Sequence, residues 1–209
     1  MVKLIVSNNT LSHCDLDIIM KGVKELLDED GVLVLENAYL PKTLEQRDIG
    51  QFYCEHVLYH LITPLKTFFK KYDLNLYKVE YNDVQMGSFR AFVGKKKDDK
   101  SVIDALENEK RFTGSSAPFI EFWNEINVIK NKLNILLNDL PEVSIYGVPA
   151  KLALLLKFIG FNKFKYAAED SDYKIGRQVP GTNIEIKSSE YFHKNPTKYC
   201  LIGSYNFCS

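Results

Sequence analysis

The sequence lacks an excess of charge of either sign. Its 209 residues include 27 Lys and Arg and 27 Asp and Glu, so the formal net charge at pH 7 is zero. Proteins that bind nucleic acid usually carry a basic patch that meets the phosphate backbone. The one basic cluster, residues 95–97, runs straight into Asp98 and Asp99, as is typical of a solvated loop. We therefore expect no nucleic-acid partner.

Cysteine is scarce, and the cysteines that are present have no metal-binding spacing. The chain has four, which form no CxxC pair, and no signal peptide precedes them. This usage predicts reduced thiols in a cytoplasmic protein, without a disulfide framework or a zinc site. No apolar run approaches the ~20 residues of a membrane span. We expect a soluble globular protein with no membrane partner.

Histidine is also rare, yet two of the four histidines fall in residues 51–61, QFYCEHVLYHL. If this stretch is a helix, residues three and four apart share a face. His56 then meets Tyr53 on one side, and on the other side it meets Tyr59 and His60. An imidazole titrates near neutrality, so this group has the parts needed to abstract a proton at about pH 7. The alternative, an amphipathic helix whose aromatic rings only pack, stays open.

The front of the chain has the pattern of a mixed α/β sheet. Residues 3–7 are a short apolar run, predicted to be a strand buried on both faces. Residues 15–27 have helical apolar spacing, and Gly31 is predicted to end that helix. A second buried strand at residues 31–36 completes a βαβ unit with parallel pairing. Two further segments alternate like antiparallel strands, residues 75–81 and 88–93.

The rest of the chain is predicted to form bridging helices and a second α/β domain. The second domain begins with a predicted strand at residues 143–146. A turn at Gly147, a helix, a second strand and an acidic residue follow it, as in nucleotide-binding βαβ units. Such a glycine turn can also serve only to close a strand against a helix, and the sequence leaves both roles open. The predicted domains are residues 1–97, 98–140 (the bridging helices) and 141–209.

Several motifs occur in a fixed order along nearly the whole chain. They are NNTLSHCDLD (residues 8–17), DGVLVLE (30–36), YCEH (53–56), MGSFR (86–90), IYGVPAKLALLL (145–156), KIGRQVPGTNIEI (174–186) and KYCLIGSYNF (198–207). Together they resemble S-adenosylmethionine-dependent sugar C-methyltransferases. That family has a YxEH motif, a GGSxR element, a YGAPAK-type turn, a KxGRxxPGTxIPI-type loop and a last strand that ends in tryptophan and asparagine. Here Glu169 stands where the family commonly has aspartate, and Tyr205 replaces the tryptophan.

The resemblance implies an α/β fold, with a partial Rossmann-type methyltransferase half followed by a Rossmann-like C-terminal α/β domain. It also implies transfer of a methyl group from S-adenosylmethionine to a carbon next to the ketone of a nucleotide-linked deoxysugar. A base must first remove a proton from that carbon, so that an enolate can attack the methyl group.

The YCEH match gives these steps to particular residues. His56 is the implied base, and Glu55 orients or modulates it. Tyr53 and His13 are candidate donors to the developing enolate oxygen. For His13 the alternative is a polar residue near a helix start. Asn9, at the end of the first strand, is expected at the carboxyl edge of the sheet, where ligands bind.

The rear domain is expected to hold the nucleotide-sugar substrate. Lys151, Lys174 and Arg177 lie in its glycine- and proline-rich turns, where cations can meet a diphosphate. Arg90 is a weaker candidate of the same kind. The alternative for each is a solvated surface cation.

The chain also departs from the family pattern. It has no cysteine-rich zinc lobe, and nothing in residues 1–60 has the GxGxxG turn that lets a backbone approach the methyl donor. We therefore expect a natural truncation, one half of a split enzyme or a fragment. Three functions stay open: a methyltransferase completed by a partner or a missing segment, a non-catalytic nucleotide-sugar-binding module, and an association subunit. The exposed strand edge is predicted to be covered by a second copy, giving a homodimer, or by a partner subunit.

Overall fold

A computed structural model describes residues 1–160 and 163–204. The chain divides into two compact units. The first contains Met1–Asp48 and Cys54–Phe122, and the second contains Ile49–Tyr53 and the residues from Trp123 onward. Tyr205, predicted to replace the family's closing tryptophan, lies outside the described residues.

The first unit is a mixed α/β structure. Its helices and strands are β1 (Val2–Asn8), α1 (Leu16–Leu26), β2 (Leu27–Ala38), α2 (Leu40–Glu45), α3 (Ile62–Lys70), β3 (Asn75–Asn82), β4 (Ser88–Gly94), α4 (Lys100–Asn108) and α5 (Lys110–Thr113). Helix α6 (Ala117–Asp139) begins in this unit and continues into the second. The four strands lie in the order β1-β2-β4-β3. β1 and β2 are parallel, and β4 is antiparallel to both of its neighbours.

Local sequence explains why α1 lies between the two parallel strands. The Asp15 carboxylate accepts a hydrogen bond from the backbone N–H of Asp17 at 2.9 Å and caps the helix. Met20 and Val23, three residues apart, turn one face of α1 toward the core. The largest fully buried side chains of this core include Phe69 and Phe89. Each such side chain contributes roughly 1.5–3 kcal/mol through burial.

The second unit contains a fully parallel sheet. After α6 come β5 (Val143–Tyr146), α7 (Ala150–Ile159), β6 (Ala167–Glu169), β7 (Ile186–Ser188), α8 (Ser189–Lys194) and β8 (Tyr199–Ile202). The strand order is β7-β6-β5-β8, and every pair is parallel. β6 and then β7 therefore lie on one side of β5, and β8 lies on its other side. This is the half-Rossmann order, with a topological switch point between β5 and β8.

The predicted fold class, an α/β chain with two Rossmann-like halves, is confirmed. The predicted βαβ unit is present, with β1 parallel to β2, and the two predicted antiparallel strands pair as β3 and β4. The predicted domain boundaries at residues 97 and 140 stay a prediction.

Three local predictions are wrong. Residues 51–61 form no α-helix: a short 3₁₀ turn, Ile49–Gln51, is followed by irregular chain up to His60. Gly31 ends no helix, because β2 begins at Leu27, directly after α1. β1 is not buried on both faces, because Val2, Leu4 and Val6, which are two residues apart and share one face, are exposed.

Candidate functional site

The irregular segment of the first unit is held by hydrogen bonds to a distant turn. The 3₁₀ turn Leu11–His13 follows β1. Its Ser12 carbonyl oxygen accepts hydrogen bonds from the backbone N–H groups of Val57 and Leu58, at 2.8 and 3.3 Å. These two N–H groups would point to carbonyls four residues earlier in a helix. The tertiary contact with Ser12 therefore replaces the helix that the sequence pattern predicts.

This contact brings two imidazoles together. The rings of His13 and His56 lie edge to face, with centroids 4.8 Å apart. His13 Nδ1 is 2.9 Å from the backbone carbonyl oxygen of Glu55. A carbonyl oxygen can only accept, so Nδ1 of His13 donates, and Nε2 is the free base position in the neutral ring. His13 is exposed and His56 is partly buried. A proton acceptor can therefore be presented to a ligand at this position.

The other two predicted catalytic residues, Glu55 and Tyr53, lie in the segment just before His56. Glu55 contacts His13 through its main chain, and its side chain is exposed. Tyr53 belongs to the segment Ile49–Tyr53 of the second unit, whereas the other three candidates belong to the first. The structure thus brings together His13, Glu55 and His56. Their chemical roles stay predictions.

A buried polar cluster next to this pair was missed by the sequence analysis. His60 Nε2 lies 3.2 Å from Ser12 Oγ, and Asn37 Nδ2 donates to the same oxygen at 3.3 Å. The three residues are 4, 5 and 1% exposed. Burial, with a smaller contribution from His56, lowers the pKa of His60 to about 4. His60 is therefore a neutral ring at physiological pH. Its proximity to His56 in the sequence was the one available signal.

Asn9 lies where the sequence places it, directly after β1 at the carboxyl end of that strand. Its φ of +51° is in the left-handed region, which Asn tolerates better than most residues. Its backbone N–H donates to the carbonyl oxygen of Glu36 at 2.7 Å. This bond ties the turn after β1 to β2. Contact between Asn9 and a cofactor stays a prediction.

Arg90 is engaged inside the sheet of the first unit. Its Nη2 and Nε atoms donate to Glu36 Oε2 at 2.6 and 3.1 Å, and its Nη1 is 3.8 Å from a carboxylate oxygen of Glu80. Asn82 donates to the same oxygen of Glu36 at 3.0 Å. The guanidinium is thus compensated by carboxylates on neighbouring strands, and a phosphate would have to compete with them.

In the second unit, the Lys174 ammonium is likewise paired with a carboxylate. Its ammonium donates to Glu169 Oε2 at 2.8 Å and to the carbonyl oxygen of Val148 at 2.9 Å. Glu169 also accepts from the backbone N–H groups of Val148 and Asp170, at 3.1 and 3.0 Å. Burial raises the pKa of Glu169, but these hydrogen bonds outweigh it and hold the pKa below its ordinary value. Glu169, the last residue of β6, therefore stabilises the turn after β5.

Lys151 differs from Lys174. It lies in the first turn of α7, and its Nζ atom is buried without a hydrogen-bond partner among the described residues. A buried ammonium without a partner is costly, so this atom is a good candidate for an anion contact. Arg177 is exposed on the loop between β6 and β7. Its contact with a diphosphate stays a prediction.

Gly147 allows the ends of two strands to meet. It has a φ of +82° and follows β5, and a Cβ added there would lie 2.1 Å from Ser204 Oγ, just beyond β8. Only glycine fits this approach. The glycine therefore has a clear packing reason, and it lies at the switch point of the sheet.

The described residues contain neither a candidate metal-binding cluster nor a membrane-spanning helix. Over residues 1–160 and 163–204, no group of three or more His, Cys, Asp and Glu side chains could hold a metal ion. Across that part of the chain, no helix has the length and apolar character needed to cross a membrane.

Comparison with known proteins agrees with the motif resemblance. The chain is 25% identical over 219 residues to C-methyltransferase NovU of Streptomyces niveus, an alignment that covers 99% of this chain and 52% of that protein. The chain thus spans about half the length of this relative. The family model described as "C-methyltransferase C-terminal domain" matches residues 83–209. Because this match covers more than half of the sequence and agrees with the fold, the protein belongs to the C-methyltransferase C-terminal domain family.

Proposed function

We propose that this chain is the part of a C-methyltransferase that makes a sugar carbon nucleophilic. The substrate is a nucleotide-linked deoxysugar with a ketone, and the proton is removed from the carbon next to that ketone. The observation that carries the proposal is the pairing of His13 and His56, two imidazoles from separate segments with ring centroids 4.8 Å apart. The family membership supports the same chemistry.

The geometry of the pair supports a proton transfer from the substrate to His56. The C–H bond breaks, its proton goes to an imidazole nitrogen of His56, and its electron pair forms the enolate. The neighbouring His13 ring, with its Nδ1–H held by the Glu55 carbonyl oxygen, donates a hydrogen bond to the enolate oxygen when Nε2 also carries a proton. A base whose pKa is near the working pH contributes typically 10²–10⁴-fold to such a step. Glu55 holds His13 through its carbonyl oxygen.

The described residues do not fit a complete pocket for S-adenosylmethionine. In the first unit, the turns after the parallel strands β1 and β2 begin at Asn9 and Tyr39, and neither contains a glycine. A Rossmann-type donor site needs a glycine turn so that the backbone can approach the cofactor. We therefore ascribe to this chain the formation of the enolate and not the methyl transfer. S-adenosylmethionine, when bound, supplies the methyl group.

The second unit is proposed to hold the nucleotide. Lys151 offers a buried ammonium without a partner in the described chain, at the start of α7. A diphosphate would compensate that charge and meet the positive end of the helix dipole. Arg177 is proposed as a second, exposed cation for the same diphosphate. Lys174, already paired with Glu169, is proposed as a secondary contact.

The sheet edge is proposed to be an interface. β1 pairs with β2 on one side, and its side chains Val2, Leu4 and Val6 are 43, 59 and 56% exposed. An apolar edge strand favours pairing with another strand. We propose that a second copy of the chain adds its strand to β1. A partner subunit that carries the donor-binding segment is the alternative occupant.

The enolate step can be tested without a methyl donor. The chain is incubated in D₂O with a TDP-linked keto-deoxysugar, and NMR follows the replacement of hydrogen by deuterium at the carbon next to the ketone. We expect exchange above the rate without protein, and a loss of about 10²-fold or more in His56→Gln. His193→Gln, which changes an exposed histidine of α8, is the matched control.

A second candidate function is a binding module that holds the nucleotide sugar without catalysis. The missing glycine turn in the first unit favours it. Calorimetric titration with TDP and with S-adenosylmethionine separates the alternatives. Binding of TDP without deuterium exchange supports the module. Binding of neither ligand supports an association subunit and contradicts the proposed enzyme.

A further inference from the structure

Ser12 connects the turn of His13 to the loop of His56 in two ways. Its carbonyl oxygen accepts the N–H groups of Val57 and Leu58, at 2.8 and 3.3 Å. Its hydroxyl oxygen lies in the buried cluster with Asn37 and His60. The side chain is 5% exposed, so water does not compete with these contacts.

One hydrogen-bond direction in this cluster is fixed by chemistry. The amide nitrogen of Asn37 can only donate, so Ser12 Oγ accepts from it. The direction between Ser12 Oγ and His60 Nε2, 3.2 Å apart, depends on the tautomer of His60, because a hydroxyl oxygen can donate once and accept twice. When the ring proton of His60 is on Nδ1, Nε2 accepts the hydroxyl hydrogen, and the cluster is a directed chain from Asn37 through Ser12 to His60.

A second observation shows that the cluster is specific. Asn37 is 1% exposed, and its Oδ1 atom is buried without a hydrogen-bond partner in the described part of the chain. An unsatisfied buried acceptor costs free energy. The amide nitrogen of Asn37 thus donates to Ser12, while its amide oxygen has no hydrogen-bond partner among the described residues. An apolar side chain would avoid that cost and could not orient the hydroxyl.

The cluster is linked through Ser12 to the exposed His13 ring and the partly buried His56 ring. His13 follows Ser12 in the chain, and His56 precedes Val57, whose N–H binds the Ser12 carbonyl. A movement of Ser12 would therefore shift both members of the His13–His56 pair. A misplacement of about 1 Å can cost about 10²-fold in rate.

We propose that Ser12 is a positioning residue for proton abstraction, oriented by Asn37 and His60, and that it sets the distance between His13 and His56. This inference rests on the proposed function for its effect on catalysis. Its structural part, the directed chain and the imidazole spacing, can be measured independently of any reaction.

The test compares Ser12→Ala, Ser12→Val and Ser12→Thr with wild type by NMR. In wild type, the ¹⁵N shifts of His60 should show the Nδ1–H tautomer, and the His13 and His56 rings should share nuclear Overhauser effects. In the Ala and Val variants, we expect a mixture of His60 tautomers, weakened His13–His56 effects and faster amide exchange at Val57 and Leu58. The Thr variant keeps the hydroxyl and should restore all three readouts.

Two further variants keep the test decisive. Asn37→Asp has nearly the same shape but accepts a hydrogen bond from Ser12, so His60 should shift to the Nε2–H tautomer. Ser144→Ala removes a buried hydroxyl from the second unit, where it accepts a bond from Thr197 at 2.7 Å. It controls for lost stability and should leave the histidine signals unchanged.

The kinetic readout is the deuterium exchange described above. Ser12→Ala should lower the maximal exchange rate about 10- to 100-fold while changing the substrate concentration at half-maximal rate little. Unchanged His13–His56 signals and unchanged exchange in the Ala variant would overturn the proposal. If wild type shows no exchange, the proposed enzyme function fails, and the tautomer and ring-contact measurements still decide whether Ser12 positions the pair.

Discussion

At the scale of single residues, Lys151 is the most direct test of nucleotide binding. Its buried Nζ has no hydrogen-bond partner among the described residues, so a bound diphosphate would gain a charge-assisted contact. We predict that Lys151→Met weakens TDP binding about 10-fold, or roughly 1.4 kcal/mol, in calorimetric titration. Lys157→Met, an exposed lysine in the last turn of α7, should bind TDP like wild type. Equal affinity of both variants would contradict the assignment.

His60 gives a pH-dependent stability. Its pKa is lowered from 6.5 to about 4 in the folded chain, chiefly by burial. Between these values the unfolded state binds a proton that the folded state does not, so the free energy of unfolding rises with pH across this window. The contribution reaches about 3 kcal/mol above pH 6.5 and is lost as the pH falls toward 4.

Urea unfolding between pH 4 and 7 measures this contribution, and His60→Gln is the comparison because its side chain does not titrate. The difference in unfolding free energy between wild type and variant should grow in favour of wild type as the pH rises. Carboxylates that titrate in both proteins cancel in this difference. A difference that is constant with pH would show that His60 is protonated equally in both states.

The residue scale also shows what the sequence can and cannot reveal. His13 and His56 are candidate catalytic residues from the sequence alone, because each lies within a motif that resembles the family. The supporting cluster of Ser12, Asn37 and His60 depends on residues 25 and 48 positions apart from Ser12. Such pairs leave no local periodicity, so a single sequence does not predict them.

At the scale of elements, helix α3 depends on a carboxylate from another segment. Its N-cap residue, Leu61, provides no side-chain hydrogen bond. Glu109, 0% exposed, accepts from the N–H groups of Ile62 and Thr63, at 2.6 and 2.7 Å, and from Tyr39 Oη at 3.0 Å. Burial and the charge of Glu109 raise the pKa of Tyr39. The carboxylate also meets the positive end of the helix dipole.

We predict that Glu109→Gln lowers the unfolding free energy by about 1–3 kcal/mol. The amide keeps the shape, but it places an N–H donor against backbone donors and loses the charge. Glu107→Gln, an exposed residue of α4, should stay within about 0.5 kcal/mol of wild type. Urea unfolding compares the two variants. Equal stability of both would show that the buried carboxylate does not anchor α3.

Element prediction succeeds where burial and local propensity agree. The strand predicted at residues 143–146 is β5, Val143–Tyr146, and its first three residues are buried. It fails at residues 51–61, because Val57 and Leu58 donate to Ser12 rather than along a helix. It also fails at Gly31, where parallel pairing with β1 extends β2 back to Leu27.

At the scale of the whole molecule, the two units have different strand patterns. The second unit has the half-Rossmann order, which its βαβ sequence pattern predicts, and its glycine turn lies at the switch point. The first unit has β1 at one edge with its apolar side chains exposed. The sequence predicts β1 as a fully buried strand because its apolar run is that of an interior strand. The exposed side chains Val2, Leu4 and Val6 are two residues apart and share one face of the sheet. What points to an additional strand is the hydrogen-bonding edge of β1 opposite β2, to which no other described strand pairs.

The edge therefore gives the last prediction, that β1 pairs with β1 of a second copy. Isologous pairing of an edge strand places the same apolar side chains on both sides of a two-fold axis. Light scattering of the concentrated wild-type chain should give a dimer mass. Leu4→Lys places a charge on the edge and should give a monomer, whereas Ile103→Lys, at a residue of α4 that is 61% exposed, should leave the dimer intact. A monomeric wild type would contradict self-pairing. It would leave the donor-binding subunit as the occupant of the edge, and co-purification with such a subunit should then depend on Leu4 in the same way.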